Sequence, residues 1–401
     1  MALAMRERHA VVNEMAGRYR KGGKKGRGRI PDELVELSGY TRTYAALLLR
    51  GYGHRTIYGP GGVLLKPSVK RTRRRMPIYG SAVHKALKRI WAIYDCPCGK
   101  YLAPAVAEMI RVLEREHEIE LTTELREKLC SISPATIDRL LAPDKRRLQI
   151  RGRTHTAAGS IIKRQIPIRT FTEWNDHQPG YLEIDLVAHE GGNSRGDFAF
   201  TLTATDIYSA WTEVRILQNK AQKWVFQALL DIRACVPFDL LGIDSDNGSE
   251  FINHHLMRYC EQQRIQFTRA RPARRNDNCY VEQKNNAVVR RAVGYLRYDT
   301  DEARAIISKI YQGLNPSVNY FHPVRKLVSK TRDGAKQTRT YDRPATPCQR
   351  LLACDAVPES TKQRLHCHYE SLNPARLKRT ITSNQQQLWR LASAPSQEVS
   401  A

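Results

Sequence analysis

Residues 181–187 alternate apolar and other side chains, the pattern of a strand with one buried face. Leu182, Ile184 and Leu186 mark that face, and Asp185 falls on the opposite one. Later stretches continue the alternation of strands and helices. Four more strands are predicted at 198–206, 211–217, 240–243 and 265–268, and two helices at 220–234 and 249–263. The region is therefore expected to form an α/β domain around one sheet.

Two further carboxylates fall at positions where such a sheet could bring them near Asp185. Asp246 follows the apolar run 240–243, and Glu282 lies in a stretch, 276–296, with helical spacing of apolar residues. Carboxylate oxygens suit Mg²⁺ and Mn²⁺, and two such ions can clamp the attacking and leaving oxygens of a phosphodiester. The spacing leaves alternatives open, which are Glu183, Asp244 and Asp277.

Sixty residues separate Asp185 from Asp246, thirty-five separate Asp246 from Glu282, and Asp-Asn-Gly begins at Asp246. This pattern resembles the catalytic core of DDE transposases and retroviral-type integrases. The resemblance includes the transposases of bacterial insertion sequences. The resemblance covers a little over a quarter of the chain. It implies an RNase H-like core, a five-stranded mixed sheet with helices. It also implies that Asp185, Asp246 and Glu282 are the catalytic residues, and it favours Asp246 over Asp244.

The resemblance implies a function as well. The three carboxylates would hold Mg²⁺ or Mn²⁺, two ions in all, for cleavage of DNA at element ends and strand transfer into target DNA. The implied partners are double-stranded DNA, both element ends and target, and further copies of the chain. We expect a cytoplasmic, nucleoid-associated bacterial protein without a membrane partner. The alternatives are a metal-dependent nuclease of the same fold and an inactive DNA-binding regulator.

The net charge of +26 is distributed unevenly. Residues 1–180 carry +18, residues 181–300 carry zero and residues 301–401 carry +8. Excess positive charge in the flanks indicates a polyanionic partner that those flanks contact. The nine cysteines show no spacing typical of a zinc site, and no strongly apolar basic helix indicates membrane binding.

We predict five regions from these patterns. They are an N-terminal helix-turn-helix region (1–75), a second all-α region (76–147), a basic linker (148–178), the catalytic core (179–300) and a small basic C-terminal region (301–401). In the first region, residues 21–29 are expected to form a flexible cationic loop. A helix is expected to start at Pro31 and a second to run over 42–50.

Several residues are candidate DNA contacts because they fall on predicted exposed helix faces or in basic runs. In the N-terminal half they are Arg42, Thr43, Arg50, Arg73, Arg74 and Arg139. Around the glutamate helix they are Arg271, Arg274, Arg275, Asn278, Lys284 and Asn286. Asn278 and Asn286 lie one turn either side of Glu282, so the helical spacing places them on its face.

Overall fold

The computed structural model describes residues 4–52, 57–58, 64–65, 78–147, 178–245, 254–269, 279–333 and 336–393. The chain divides into two compact units, Met1–Pro77 and Ile78–Ala401. No helix within these ranges is long and apolar enough to cross a lipid bilayer.

Three helices form the first unit: α1 (Met5–Lys21), α2 (Lys24–Ser38) and α3 (Arg42–Gly51). Gly39 ends α2 with a φ of 72°, and the Thr41 side chain caps α3 by accepting a hydrogen bond from Tyr44 N. The helices share one small core, composed of Val12, Met15, Ala16, Ile30, Leu34, Ala45 and Leu49. Two short antiparallel strands follow, β1 (Ile57–Tyr58) and β2 (Leu64–Leu65).

The start of α2 differs from the sequence-based prediction. Helix α2 begins at Lys24, so most of the expected cationic loop is helical and Pro31 lies inside the helix. Pro31 is buried, as are Ile30 and Leu34, which belong to the core that α2 shares with α1 and α3. A proline removes a single backbone donor, and here packing of this apolar face offsets that loss.

Four helices open the second unit: α4 (Ser81–Ile93), α5 (Gly99–Arg115), α6 (Thr123–Cys130) and α7 (Pro134–Arg147). Their apolar faces form a core that continues into residues near the C-terminus. Leu87, Ile110 and Leu113 belong to the same cluster as Phe321 and Leu351. This helical region and the end of the chain are therefore packed as one body.

The central sheet contains five strands: β3 (Tyr181–Ala188), β4 (Phe200–Asp206), β5 (Thr212–Leu217), β6 (Gly242–Ser245) and β7 (Gln266–Arg269). Their order is β5-β4-β3-β6-β7, with β5, β4 and β3 antiparallel and with β6 and β7 parallel to β3. The predicted five-stranded mixed sheet of RNase H-like type is thus confirmed. Helices α8 (Gln222–Cys235) and α9 (His254–Gln262) provide the crossovers.

The alternation of β3 separates two differently used faces of the sheet. Leu182 and Ile184 belong to an apolar cluster with α8 and α9. Glu183, Asp185 and Val187 occupy the other face, and Val187 packs in a cluster with the helices that follow β7. The acidic positions of β3 therefore face the C-terminal half of the chain.

The chain after β7 is mostly helical. It contains α10 (Cys279–Lys284), a π-helical turn (Asn285–Arg290), α11 (Arg291–Val293), α12 (Asp301–Pro316) and a second π-helical turn (Ser317–Phe321). A two-stranded hairpin and three helices follow: β8 (Leu327–Asp333), β9 (Lys336–Tyr341), α13 (Pro347–Leu352), α14 (Glu359–Ser371) and α15 (Pro374–Ser393). The single helix expected over 276–296 is therefore interrupted, and α15 is a helix that the sequence analysis did not predict.

The outer edge of β5 is closed by two asparagine side chains. Asn319 Oδ1 accepts a hydrogen bond from Thr212 N at 2.8 Å, and its Nδ2 donates to Thr212 O at 2.9 Å. Asn315 Oδ1 accepts from Val214 N at 3.2 Å. Side-chain amides thus take the place of a neighbouring strand and satisfy backbone groups that an exposed edge would leave unpaired.

His189, directly after β3, gives the fold a predicted dependence on acid. Its Nε2 lies 2.7 Å from Thr201 Oγ1, and burial together with nearby Arg290 lowers its pKa to about 3. In the unfolded chain this imidazole binds a proton near pH 6.5, whereas in the folded chain it does not. The free energy of unfolding therefore decreases as pH falls from 6.5 towards 3.

We expect this loss to reach about 2 kcal/mol at pH 5 relative to pH 7. The measurement is urea unfolding of the wild type and of His189→Gln over this pH range. The glutamine variant has no imidazole to protonate, so the stability difference between the two proteins should shift by that amount. If the free energies of unfolding of the two proteins follow parallel curves against pH, His189 is not responsible for the loss of stability in acid.

Candidate active site

Two carboxylates of β3 have different surroundings. Glu183 is fully buried, whereas Asp185 is half-buried on the same face of the strand. Glu183 Oε2 accepts a hydrogen bond from Val281 N at 3.1 Å, in the first turn of α10. A carboxylate beneath the first turn of a helix interacts favourably with its backbone donors. Glu183 therefore anchors α10 over β3.

Asp244 on the neighbouring strand is also enclosed. It is fully buried, pairs in register with Glu183, and accepts a hydrogen bond from Thr268 Oγ1 at 2.5 Å. The two alternatives Glu183 and Asp244 thus have partners inside the fold. Of the two acidic positions on β3, Asp185 is the more accessible.

Asp185 is held from two sides. Its Oδ1 accepts from Leu186 N at 2.8 Å, and its Oδ2 accepts from Asn285 Nδ2 at 2.6 Å. Asn285 is the first residue of the π-helical turn that follows α10. Glu282, which is exposed, lies between Val281 and Asn285, the two residues that tie this segment to β3. The fold therefore brings the Glu282 helix onto the strand that carries Asp185.

Two buried oxygen atoms near Asp185 have no hydrogen-bond partner among the described residues. They are Asn285 Oδ1, whose amide nitrogen contacts Asp185, and Thr203 Oγ1, on the residue that pairs with Asp185 across β3 and β4. Buried polar atoms are normally satisfied, so such atoms indicate an additional ligand or water. Oxygen donors beside a carboxylate are the ligand set that Mg²⁺ and Mn²⁺ prefer, so these residues fit a hard divalent cation.

The third candidate ligand, Asp246, lies outside the described residues, as do Asp277, Arg73, Arg74, Arg271, Arg274, Arg275 and Asn278. Within the described ranges no three His, Cys, Asp or Glu residues cluster as a metal site would require. β6 ends at Ser245, which pairs with Ile184 next to Asp185. The chain therefore reaches Asp246 one residue beyond the last paired position.

The remaining predicted DNA contacts are distributed over both units. Thr43 and Arg50 are exposed on α3, and Arg139 is exposed on α7 with its guanidinium donating to Thr136 Oγ1 at 3.1 Å. Arg42 is exposed but forms an ion pair with Asp32 at 2.5 Å. Asn286 is exposed just beyond Asn285.

The structure corrects the prediction for Lys284. This residue is 7% exposed, and burial lowers the pKa of its ammonium to about 8. The helical pattern predicted a solvent-facing position two residues after Glu282. Lys284 instead lies three residues after the buried Val281, on the same face of α10, so its side chain is not presented to DNA.

Asn285 was missed by sequence reasoning, although the paired asparagines at 285 and 286 and the i+3 spacing from Glu282 were visible. Regular α-helical spacing favours Asn286, which lies one turn from Glu282. The π-helical turn begins at Asn285 and alters that spacing, and such turns occur frequently at functional sites.

We predict that Asn285→Ala weakens the binding of Mn²⁺ about 10- to 100-fold, the usual effect of removing a partner that orients a metal ligand. The physical reason is that the Asp185 carboxylate loses the amide that fixes its orientation. The measurement is a calorimetric titration with Mn²⁺, with the variant Gln283→Ala at the exposed neighbouring position as control. An unchanged affinity for Mn²⁺ would argue against this role.

Comparisons with known proteins bear on the same region. The model of the integrase core domain family (rve) matches residues 175–275, which include Asp185 and Asp246 but stop before Glu282. An uncharacterized protein of Sinorhizobium fredii (strain NBRC 101917 / NGR234), y4rM, is 38% identical over 353 residues. That match covers 87% of this chain and 96% of the relative.

Among solved structures, the chain is similar to the catalytic core domain of the HTLV-2 integrase, a dimeric form in complex with magnesium. The identity is 12%, the match covers 36% of this chain and 90% of the integrase core, and the TM-score is 0.27. The assignment of the fold rests on the strand order of the central sheet and on the family match.

Proposed function

Because the chain belongs to the integrase core domain family, we propose that it is a DDE-type polynucleotidyl transferase, a DNA transposase or integrase. The observation that carries the proposal is the packing of the Glu282 helix onto β3, where Asn285 holds the partly exposed Asp185. Carboxylates carried by a central strand and by a helix packed on it are what supports the assignment, because this chemistry needs acidic side chains that hold two metal ions.

The proposed metal ligands are Asp185, Asp246 and Glu282. The choice of Asp246 over Asp244 is supported by the surroundings of Asp244, which is buried, pairs with the buried Glu183 and accepts a hydrogen bond from Thr268. Two bound Mg²⁺ or Mn²⁺ ions would supply charge stabilisation at the attacking and leaving oxygens of the phosphodiester. The Asn285 amide, which donates to Asp185 Oδ2, would keep that carboxylate in a fixed orientation.

We propose two successive displacements at phosphorus. In the first, a water oxygen bonds to the phosphorus at the element end, the bond to the 3′ oxygen breaks, and a proton moves to give a 3′-hydroxyl. In the second, that hydroxyl oxygen bonds to a phosphorus of target DNA and displaces another 3′ oxygen. The number of phosphodiester bonds is unchanged in the second step, so no energy source and no covalent enzyme intermediate are needed.

The charge distribution supports DNA binding by the flanks of the catalytic core. The core segment 181–300 has zero net charge, while the segments before and after it carry +18 and +8. We assign recognition of element ends to the helical regions 1–75 and 76–147. The proposed contacts there are Arg42, Thr43, Arg50, Arg73, Arg74 and Arg139.

Near the site, the proposed substrate contacts are Arg271, Arg274, Arg275, Asn278 and Asn286. Guanidinium and amide groups are usual ligands of DNA phosphates, so these residues suit a polyanionic substrate. Processing two element ends together would require more than one copy of the chain.

The decisive experiment incubates the protein with DNA carrying the gene's own flanking sequences, in Mn²⁺ and in EDTA, and sequences the products. Cleaved ends joined to new DNA, in Mn²⁺ alone, would establish the proposed function. Cleavage without joining would make the protein a nuclease. Tight binding without any chemistry would make it a DNA-binding regulator, and either result would overturn the proposal.

A further inference from the structure

The hairpin formed by β8 and β9, Leu327–Tyr341, is a two-stranded sheet separate from the central one. Among the described strands, β8 and β9 pair with each other and with no other strand. Leu327, Val328 and Tyr341 are exposed, with Val328 at 67%. An isolated two-stranded ribbon buries too little surface to be stable alone, so this one depends on its attachment or on a partner.

The attachment of the hairpin is fixed by polar contacts at its base. Lys326 N donates to Asp342 Oδ1 at 2.7 Å, and Asp342 also forms an ion pair of 2.7 Å with the nearly buried Arg350. The Arg325 guanidinium lies 4.8 Å from the centre of the Tyr341 ring. These contacts fix the two ends of the hairpin to each other and to α13.

The base of the hairpin lies at the far end of the sheet from the candidate active site. Lys326 Nζ donates to Tyr208 O at 2.9 Å. Tyr208 follows β4, at the end of the sheet where β3 begins, whereas Asp185 lies further along β3 and Ser245 ends β6 towards the other end. The hairpin is therefore joined to the second unit near the start of β3, away from the candidate active site.

The register of the hairpin divides it into two chemically different faces. Lys330 pairs with Arg339 and Arg332 pairs with Gln337, so these positions share one face. The other face carries the hydroxyl positions Ser329, Thr331, Thr338 and Thr340, all exposed. Residues 327–341 include four basic residues and one acidic residue.

We propose that the hairpin Leu327–Tyr341 is an arm that binds double-stranded DNA through its phosphates. A two-stranded ribbon has the width that enters the major groove, and basic and hydroxyl side chains are the usual phosphate ligands. A second protein is a poorer fit, because the described positions from Ser329 to Thr340 carry charged, amide or hydroxyl residues and no apolar one. The inference deepens the proposed function and adds a DNA contact away from the catalytic residues.

The test compares two triple variants that each remove three positive charges from the full-length chain. The hairpin variant is Lys330→Ser, Arg332→Ser and Arg339→Ser. The matched control is Lys309→Ser, Arg376→Ser and Arg390→Ser, all at exposed positions on α12 and α15. Binding to a labelled random-sequence duplex is measured by fluorescence anisotropy in EDTA over a series of salt concentrations, so the readout is independent of catalysis.

We expect the hairpin variant to bind about tenfold more weakly than the control. The logarithm of its affinity should fall less steeply with the logarithm of salt concentration, by the amount expected for the loss of roughly two to three phosphate contacts. Cleavage at saturating DNA should match the wild type. Affinity equal to that of the control would overturn the inference. A variant that binds DNA normally but no longer self-associates in sedimentation would also overturn it, since the hairpin would then be a contact between copies.

This readout separates the inference from the proposed function. A wild type that binds DNA through the hairpin but neither cleaves nor joins it would refute the transferase and leave the arm supported. A wild type that cleaves and joins DNA while the hairpin variant binds like the control would support the transferase and refute the DNA-binding arm. Unchanged thermal unfolding of both triple variants would show that lost binding is not lost folding.

Discussion

Replacing Glu282 by glutamine is expected to reduce DNA cleavage and strand transfer by about a thousandfold or more, with DNA binding retained. Glutamine keeps the size of the side chain and loses the negative charge that would hold a divalent cation. Glu282 is exposed on α10, so the substitution should change the free energy of unfolding by no more than about 0.5 kcal/mol. The measurements are cleavage rate at saturating Mn²⁺ and DNA affinity by anisotropy.

A matched control is Glu261→Gln, the same chemical change at an exposed position of α9. It should cleave DNA at the wild-type rate. Equal loss of binding and cleavage in Glu282→Gln would make Glu282 a structural or DNA-binding residue. Retained cleavage would remove it from the proposed ligand set and leave the alternatives Glu183, Asp244 and Asp277 to be tested in the same way.

The strands of the sheet could be predicted because their signals are local. Alternation in 181–187 and the apolar run 240–243 each reflect a face buried against helices, and the observed strands Tyr181–Ala188 and Gly242–Ser245 follow within about two residues. Pairing β3 with β6 was not derivable from these segments alone. It depends on the crossover by α8, which brings distant segments into parallel register.

The contact of Asn285 could not be predicted for a different reason. Helical spacing assigns faces on the assumption of 3.6 residues per turn, and the π-helical turn beginning at Asn285 breaks that assumption. Asn285, the first residue of that turn, contacts Asp185. A local change of helix geometry next to the proposed catalytic glutamate thus decides which side chains reach the site.

The largest stability effect is expected at the closed edge of β5. Asn319→Leu removes both hydrogen bonds to Thr212, and it leaves a buried backbone N–H and C=O without partners. Each such group costs about 1–3 kcal/mol, so the free energy of unfolding should fall by about 3–5 kcal/mol. Leucine cannot recover this by burial, because the site is already enclosed and Asn319 is fully buried.

Urea unfolding of the full-length chain measures this effect, with Gln312→Leu as the control. Gln312 lies on α12 and is exposed, so the same gain of a leucine there should change stability by no more than about 0.5 kcal/mol. A loss below about 1 kcal/mol in Asn319→Leu would mean that water or a neighbouring group replaces the amide. A full loss would show that the edge of the catalytic sheet depends on α12 and its π-helical turn. The segment that follows the proposed catalytic helix would then be required to keep β5, and with it the sheet that carries Asp185, in place.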